Sequence, residues 1–267
     1  MSKSGLDIAR LVRRARLGDK QVVIGTAHLR AIGGAMLDFA LPPRCATCGT
    51  IVDQLHSFCA DCWKKVEFLG DSGCSTCGMP LEATEIDQCA ACLARPPRIE
   101  RTRAAVAYDD ISRGLAIRLK YGRKIALART MARYMAPLLP EASGDCLLIP
   151  VPLHRSRLWW RGFNQAAIVA RELSARSGIE VSAFALRRVK RTPSLRGLSA
   201  AQRRRAVAGA FSADRRSVQG KTVILIDDVL TTGSTAEGCA RALKRAGAAR
   251  VELISWARVV RPAQFMR

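Results

Sequence analysis

Eight of the ten cysteines lie in one short segment as four Cys-x-x-Cys pairs, and this pattern limits how that segment can fold. The pairs are separated by 10, 11 and 11 residues. Two such pairs supply the four thiolates of a tetrahedral zinc site, so eight thiolates match two ions. A segment this short has too small a core to fold alone, and bound metal would supply much of its stability. The predicted ligands of two structural zinc ions are Cys45, Cys48, Cys59, Cys62, Cys74, Cys77, Cys89 and Cys92.

Other uses of these cysteines compete with zinc. Disulfides need an oxidising compartment, and we see no secretory signal that would deliver the chain to one. A redox Cys-x-x-Cys opens a helix of a thioredoxin-like unit, which four successive pairs do not fit. An iron–sulfur cluster also uses four thiolates and stays open on spacing alone. The pairs can combine sequentially or in a cross-braced order, and we favour the sequential one. His56 lies near the second pair, but eight cysteines already suffice.

Prolines mark both borders of the cysteine segment, which opens after Pro42-Pro43 and closes before Pro96-Pro97. We therefore predict a basic tail with a lead-in helix over 1–41, a double zinc-ribbon-like domain over 42–98 and a third domain over 99–267. Short β-branched runs alternate with helical ones in the third domain, which predicts an α/β fold with a parallel sheet covered by helices on both faces. The predicted strands are 104–108, 146–151, 179–186, 222–226 and 251–257. The predicted helices are 27–41, 115–139 with a break at Tyr121-Gly122, 165–177, 199–207 and 234–246.

Positive charge concentrates in the third domain. The chain has a formal net charge of +22, and residues 154–221 alone hold 16 basic and 3 acidic side chains. Such a surface attracts nucleic acid, phosphorylated small molecules or acidic lipid headgroups, although an arginine-rich surface is also typical of GC-rich genomes. No run of ~18 uncharged apolar residues is present, so we expect no membrane span and a cytoplasmic protein. Cys146 and Cys239 fall on a predicted strand and helix, where we expect them to be buried.

The sharpest motif runs from Val223 to Thr235, where an apolar strand leads into two acids and then into a loop rich in threonine that opens a helix. Amides at the start of a helix favour an anion, and Gly233 lets the backbone approach a phosphate. Asp227 and Asp228 can accept hydrogen bonds from two vicinal ribose hydroxyls. The alternative is an ordinary helix start with two solvated acids. No Gly-Lys-Ser/Thr is present, so the motif is not a Walker A loop.

This motif resembles the phosphoribosyl pyrophosphate (PRPP) loop of type I phosphoribosyltransferases. A second region supports the same resemblance. There the strand Leu147–Pro150 leads into the loop Val151–Arg155 and then into residues 157–165. Together with the preceding cysteine pairs, the chain resembles the ComF/GntX family, which is associated with natural competence. In that family a cysteine-rich zinc domain precedes a phosphoribosyltransferase domain. The resemblance covers about 38–259.

The resemblance implies a role for each part of the motif. Thr231 to Thr235 would hold the 5′-phosphate, Asp227 and Asp228 the ribose hydroxyls, and the loop that ends at Arg155 the pyrophosphate. Arg157 and Arg161 would add charge from a mobile segment, and Mg²⁺ would bridge pyrophosphate and ribose oxygens. The candidate catalytic residues are Asp227, Asp228 and Arg155. The implied PRPP-binding residues are Pro152, Leu153, His154, Arg155, Arg157, Arg161, Asp227, Asp228, Val229, Leu230, Thr231, Thr232, Gly233, Ser234 and Thr235.

Two functions follow as predictions. The first is a Mg²⁺-dependent phosphoribosyltransferase that transfers or hydrolyses the phosphoribosyl group of PRPP, linked to DNA uptake, although no acceptor-binding residue stands out. The second is a non-catalytic protein that senses PRPP or binds single-stranded DNA through its basic Trp/Arg face and zinc module, with DNA-processing proteins as further partners. For the second, cations and aromatic rings interleave from Arg157 to Phe163, and the basic runs 187–191 and 203–205 can follow a phosphate backbone. The competing interpretation is that Trp159 and Trp160 pack under a loop.

Overall fold

Five parallel strands form the central sheet of this chain, for which a computed structural model describes residues 42–70, 73–81, 85–122, 124–141, 144–192, 202 and 205–260. The strand order is β1-β7-β6-β2-β3. A second, antiparallel pair is formed by β4 and β5. The strands are β1 Arg101–Ala107, β2 Cys146–Pro150, β3 Glu180–Val181, β4 Leu186–Arg188, β5 Phe211–Ala213, β6 Thr222–Leu230 and β7 Arg250–Arg258. The predicted tail and helix over 1–41 lie outside the described residues, as does most of the predicted helix 199–207.

Helices cover both faces of the sheet, as predicted. Along β6, Ile224 and Ile226 point into a core shared with α3, α4 and α6, whereas Val223 and Leu225 point into a core shared with α8. Burial on both faces explains why this strand is a continuous apolar run. The helices are α1 Ala60–Trp63, α2 Ala90–Ala94, α3 Asp110–Lys120, α4 Leu127–Met135, α5 Arg155–Arg161, α6 Gln165–Ser177, α7 Arg215–Val218 and α8 Ser234–Arg245.

The structure corrects two predictions. The strand over 179–186 is wrong, because Glu180–Val181 pairs with β2 whereas Leu186–Arg188 pairs with β5 in the other sheet. The segment that carries Arg157 and Arg161 forms helix α5, whose first turn is capped by His154, and its mobility stays a prediction. Strand β6 continues past Ile226 to Leu230, because β7 runs beside it over the same length. The break at Tyr121-Gly122 is confirmed, since α3 ends at Lys120.

The cysteine segment packs directly on the α/β fold. Buried Arg103 of β1 donates to the carbonyls of Cys74 and Ser75 at 3.3 and 3.0 Å. Gly78 has φ +67°, and a Cβ there would lie 2.5 Å from the carbonyl oxygen of Thr102, so only glycine fits this approach. The contact holds the second half of the cysteine segment against the edge strand.

The first half of the segment lies against α3 and α4. Arg118 of α3 donates to the carbonyl of Thr47 at 3.3 Å, and Arg133 of α4 donates to that of Leu55 at 3.1 Å. The rings of Phe58 and Tyr134 stack at 5.3 Å across the same interface. Among the described residues, no helix is long and apolar enough to cross a bilayer.

Candidate functional site

The eight cysteines form two separate groups of four. The Sγ atoms of Cys45, Cys48, Cys59 and Cys62 lie within 4.8 Å of one another, and those of Cys74, Cys77, Cys89 and Cys92 do the same. The favoured sequential pairing is therefore confirmed. His56 belongs to neither group. Cys146 and Cys239 lie apart in the core, with exposed fractions of 8% and 0%, which confirms the prediction for both.

Both groups fit a closed four-thiolate zinc site. The amides of Cys77 and Cys89 point at the Cys74 sulfur at 3.5 and 3.3 Å, as expected around a thiolate ligand. Burial alone would raise the pKa of Cys74, but these amide hydrogen bonds outweigh it and bring the pKa to about 6. Four thiolates leave no open position for a substrate, so the two sites serve the structure of the chain.

The two motifs of the α/β fold meet at one edge of the sheet. Strands β2 and β6 are parallel neighbours, with Pro150 beside Ile226, and the amide of Val151 donates to the Ile226 carbonyl at 2.9 Å. The segments that follow both strands therefore leave the sheet at the same edge. Ligands of open α/β sheets bind outside the carboxyl ends of the strands, which makes this edge the candidate site.

The threonine-rich loop ends in a helix start suited to an anion. Gly233 is the N-cap of α8 with φ +72°, and no side chain caps that helix. The Thr232 and Ser234 hydroxyls lie 3.1 Å apart beside the uncapped turn. Uncapped amides, two hydroxyls and the helix dipole together suit a phosphate monoester.

The two acids differ in their surroundings. Asp228 is only 4% exposed and forms an ion pair with Lys120 of α3. Asp227 is half-buried, and its Oδ1 accepts the amide of Asp228 at 2.9 Å. Burial and the charge of Asp228 raise the pKa of Asp227 to about 8. The alternative of two solvated acids is therefore wrong.

This perturbed carboxyl makes the stability of the chain depend on pH. The folded chain keeps the Asp227 proton up to about pH 8, whereas the unfolded chain releases it near pH 4. Folding binds a proton in that window, so the free energy of unfolding falls as pH rises through it. Asp227→Asn, which never ionises, is expected to gain stability over the wild type by up to about 1.4 kcal/mol per pH unit.

Urea unfolding of both chains between pH 5 and pH 8 measures this gain. Asp145→Asn is the matched control, because Asp145 is exposed. If the stability difference between Asp227→Asn and the wild type stays constant with pH, the raised pKa of Asp227 is contradicted.

The loop after β2 is lined by cations. The ring Nδ1 of His154 accepts the amide of Ser156 at 3.3 Å and so caps α5. Desolvation and the charges of Arg155, Arg188 and Arg191 lower the pKa of His154, so its ring is neutral at pH 7. Such a concentration of positive charge around a neutral imidazole favours a polyanionic ligand.

Three residues at this edge were not predicted to belong to the PRPP site, and Arg188 among them was predicted only as part of the basic run 187–191. Lys120 forms the ion pair with Asp228, Tyr121 lies under the Arg161 guanidinium at 5.1 Å, and Arg188 lies over the Phe211 ring at 5.4 Å. Burial lowers the pKa of Arg188, while the charge of Asp227 acts in the opposite direction. The stretch Leu119–Gly122 carries no recognisable chemistry of its own, so the sequence gives no signal for the first two.

Helix α5 has an unusual surface. None of its residues is buried, and Trp159 and Trp160 are 86% and 70% exposed. The interpretation that these two rings pack under a loop is wrong. They lie on a helix whose first turn carries Arg155 and Arg157, both exposed.

Comparison with known proteins agrees with this architecture. Residues 36–93 match the Double zinc ribbon domain and residues 160–262 the Phosphoribosyl transferase domain. The chain is 31% identical to Competence protein F of Haemophilus influenzae in an alignment of 229 positions that covers 80% of this chain and 96% of that protein. It is 33% identical to DNA utilization protein YhgH of Escherichia coli O157:H7 over 67% of this chain and 81% of that protein. Competence protein ComFC of Bacillus subtilis is 27% identical over 72% of this chain and 79% of that protein.

Proposed function

The chain belongs to the family of competence protein F, and on this premise we propose that the carboxyl edge of its sheet binds PRPP together with Mg²⁺. The observation that carries this proposal is the meeting of three features at one edge: the uncapped start of α8, the pair Asp227 and Asp228, and the cations around His154. A phosphate, a ribose diol and a pyrophosphate are the three groups of PRPP that these features suit.

The binding mode follows the chemistry of each part. The 5′-phosphate lies at Thr231 to Thr235, where amides and hydroxyls donate to its oxygens. The ribose hydroxyls donate to Asp227 and Asp228, and the pyrophosphate lies in the loop Pro152–Arg155, where Arg155 offsets its charge. Arg157 and Arg161 add charge from α5. Bound Mg²⁺ would be held by pyrophosphate and ribose oxygens beside the two acids, and it would neutralise charge on the leaving group.

We propose further that the chain transfers the phosphoribosyl group to an acceptor or to water. The bond between the anomeric carbon and pyrophosphate breaks through an oxocarbenium-like state, and the acceptor forms the new bond to that carbon. The chain's contribution is to hold the two charged ends of PRPP in place and to stabilise the departing pyrophosphate. Pyrophosphate release in the presence of nucleobases, amines, ammonia or water alone tests this step. If the wild type releases pyrophosphate no faster than the double variant Asp227→Asn, Asp228→Asn, the chain binds PRPP without turnover.

The cellular role is proposed from the relatives. Their names refer to competence and to DNA utilization, so we propose that this chain acts in the cytoplasm on the use of imported DNA, with DNA-processing proteins as partners. This part of the proposal is tested by DNA uptake and growth on DNA in a strain that lacks the protein.

A second function, binding of single-stranded DNA, is favoured by the surface of α5. Trp159 and Trp160 are exposed beside Arg155 and Arg157, and stacking rings next to cations are the parts that single-strand binders use. The rings supply sequence-tolerant stacking, and the arginines release counterions from the phosphate backbone.

Replacement of both tryptophans by alanine is expected to weaken binding of an oligo-dT strand by about tenfold or more, since each stacked base contributes about 1–3 kcal/mol. Fluorescence anisotropy at several salt concentrations measures the effect. Phe184→Ala removes an aromatic ring that is 76% exposed but lies outside α5, and it is the matched control. Arg155→Gln with Arg157→Gln should reduce the salt dependence, whereas the tryptophan variant should keep it. Equal affinity of all these chains would rule out α5 as the binding surface.

A further inference from the structure

The last turn of α3 touches both halves of the candidate site. Lys120 forms an ion pair with Asp228 of β6. The next residue, Tyr121, lies 5.1 Å below the guanidinium of Arg161 on α5. One short turn therefore contacts one of the two acids proposed to hold ribose and the helix proposed to add charge for pyrophosphate.

Both contacts end on groups that are held in place. Asp228 is 4% exposed, and the Lys120 side chain is 21% exposed. Arg161 also donates to the side-chain oxygen of Gln165 at 2.7 Å, so Tyr121 and Gln165 fix its guanidinium from two sides. An ion pair this deep constrains its partners more than a solvated surface pair does.

The turn itself is anchored at several points. Leu115 and Leu119 of α3 are fully buried, and the Trp256 ring donates to the carbonyl of Ser112 at 3.2 Å. The amide of Tyr121 closes the helix on the carbonyl of Ile117 at 2.8 Å. A Cβ on Gly122 would lie 2.8 Å from the carbonyl oxygen of Arg118, so the chain can leave the helix here only with glycine.

The same helix also contacts the first four-cysteine site. Arg118, two residues before Lys120, donates to the carbonyl of Thr47, which lies between the ligands Cys45 and Cys48. The position of Lys120 is thus fixed from the core and from the zinc-ribbon side.

We propose that the last turn of α3 is a positioning element of the PRPP site, in which Lys120 holds Asp228 and Tyr121 holds Arg161. The proposal rests on the proposed function. PRPP is a polyanion, and the buried carboxylate of Asp228 repels it unless a cation offsets its charge. Lys120 supplies one fixed positive charge, so Mg²⁺ has to offset less of the negative charge at the site. Neither residue acts on PRPP itself; each acts through its partner.

Removal of the Lys120 charge tests this proposal. Lys120→Gln is expected to weaken PRPP binding by about tenfold or more and to raise the Mg²⁺ concentration needed for half-maximal binding, because loss of one partner leaves a buried charge unpaired. Lys120→Arg keeps the charge and should bind PRPP within about threefold of the wild type. Arg113→Gln removes an exposed cation from the same helix and should change neither quantity.

The Tyr121 contact is tested in the same titrations. Tyr121→Phe keeps the ring under Arg161, and Tyr121→Leu removes it, so only the leucine variant should weaken PRPP binding, by about threefold. Melting temperatures of all variants separate loss of fold from loss of positioning.

The outcomes separate this inference from the proposed function. Absence of PRPP binding by the folded wild type would overturn both. If the wild type binds PRPP and Lys120→Gln binds it with the same affinity and the same Mg²⁺ dependence, only the role of Lys120 is overturned. Failure of Lys120→Arg to restore affinity in a folded chain would also overturn it, because the role rests on charge.

Discussion

The double variant Asp227→Asn, Asp228→Asn is expected to lose PRPP binding by at least about thirtyfold while the chain stays folded. Each acid accepts a hydrogen bond from a ribose hydroxyl, and such a bond contributes about 1.5–3 kcal/mol at the charged Asp228 and about 0.5–1.5 kcal/mol at Asp227, which is protonated below about pH 8. Loss of both bonds corresponds to about 1.5 to three orders of magnitude in Kd. Asparagine has nearly the shape of aspartate, so the packing around β6 is retained.

Calorimetric titration with PRPP and Mg²⁺ measures this loss, and the melting temperature reports the fold. Asp145→Asn removes an exposed carboxylate just before β2 and should bind PRPP like the wild type. Unchanged affinity in the double variant would contradict the assignment of ribose to these acids. The two single variants then show which acid contributes more to PRPP affinity. The two contributions are expected to differ, because Asp228 is paired with Lys120 whereas Asp227 has a raised pKa.

Loss of a zinc ligand is the second change with a large expected effect. The wild type is expected to carry two zinc ions, Cys74→Ser one, and Cys45→Ser with Cys74→Ser none. Structural zinc contributes about 10–16 kcal/mol to folding in zinc-finger peptides, so each lost ion should unfold its own half of the cysteine segment. Elemental analysis together with thermal unfolding measures both effects.

Damage at the second site should also reach the sheet. Arg103 of β1 donates to the carbonyl of Cys74, and Arg258 of β7 donates to that of Cys77. Both arginines are buried, and they would lose these two carbonyl acceptors if this half of the segment unfolded. Cys74→Ser is therefore expected to lower the melting temperature of the whole chain.

Cys146→Ala is the matched control, because Cys146 is buried in β2 and belongs to neither metal group. It should retain both zinc ions. Two zinc ions in Cys74→Ser would refute the ligand assignment. Iron with a visible absorption band in the wild type would show that the cysteines hold an iron–sulfur cluster and not zinc.

Local signals were sufficient for the central part of the fold. Strand β6, the loop after it and helix α8 are contiguous in sequence, and each has its own pattern of apolar, threonine and helix-forming residues. Helix α6 is predicted to the residue because Asn164 caps its start and Gly178, with φ +73°, ends it. Features that depend on one short stretch of sequence are visible without a structure.

Features that depend on distant contacts were not visible. Lys120 reaches Asp228 only because α3 packs beside the carboxyl edge, and the sequence between them gives no sign of that contact. Helix α5 has no buried face, so it shows no apolar periodicity, and its start depends on the His154 cap. The strand over 179–186 failed because an apolar run does not reveal that its two ends join different sheets. The domain borders at 42–98 and 99–267 stay predictions.

The most direct test of the account is calorimetric titration of the zinc-loaded chain with PRPP in the presence and absence of Mg²⁺. The proposed site predicts saturable binding of one PRPP per chain that tightens when Mg²⁺ is present. A folded, zinc-loaded chain that binds no PRPP under either condition would contradict the central claim, and the exposed surface of α5 would then carry the function.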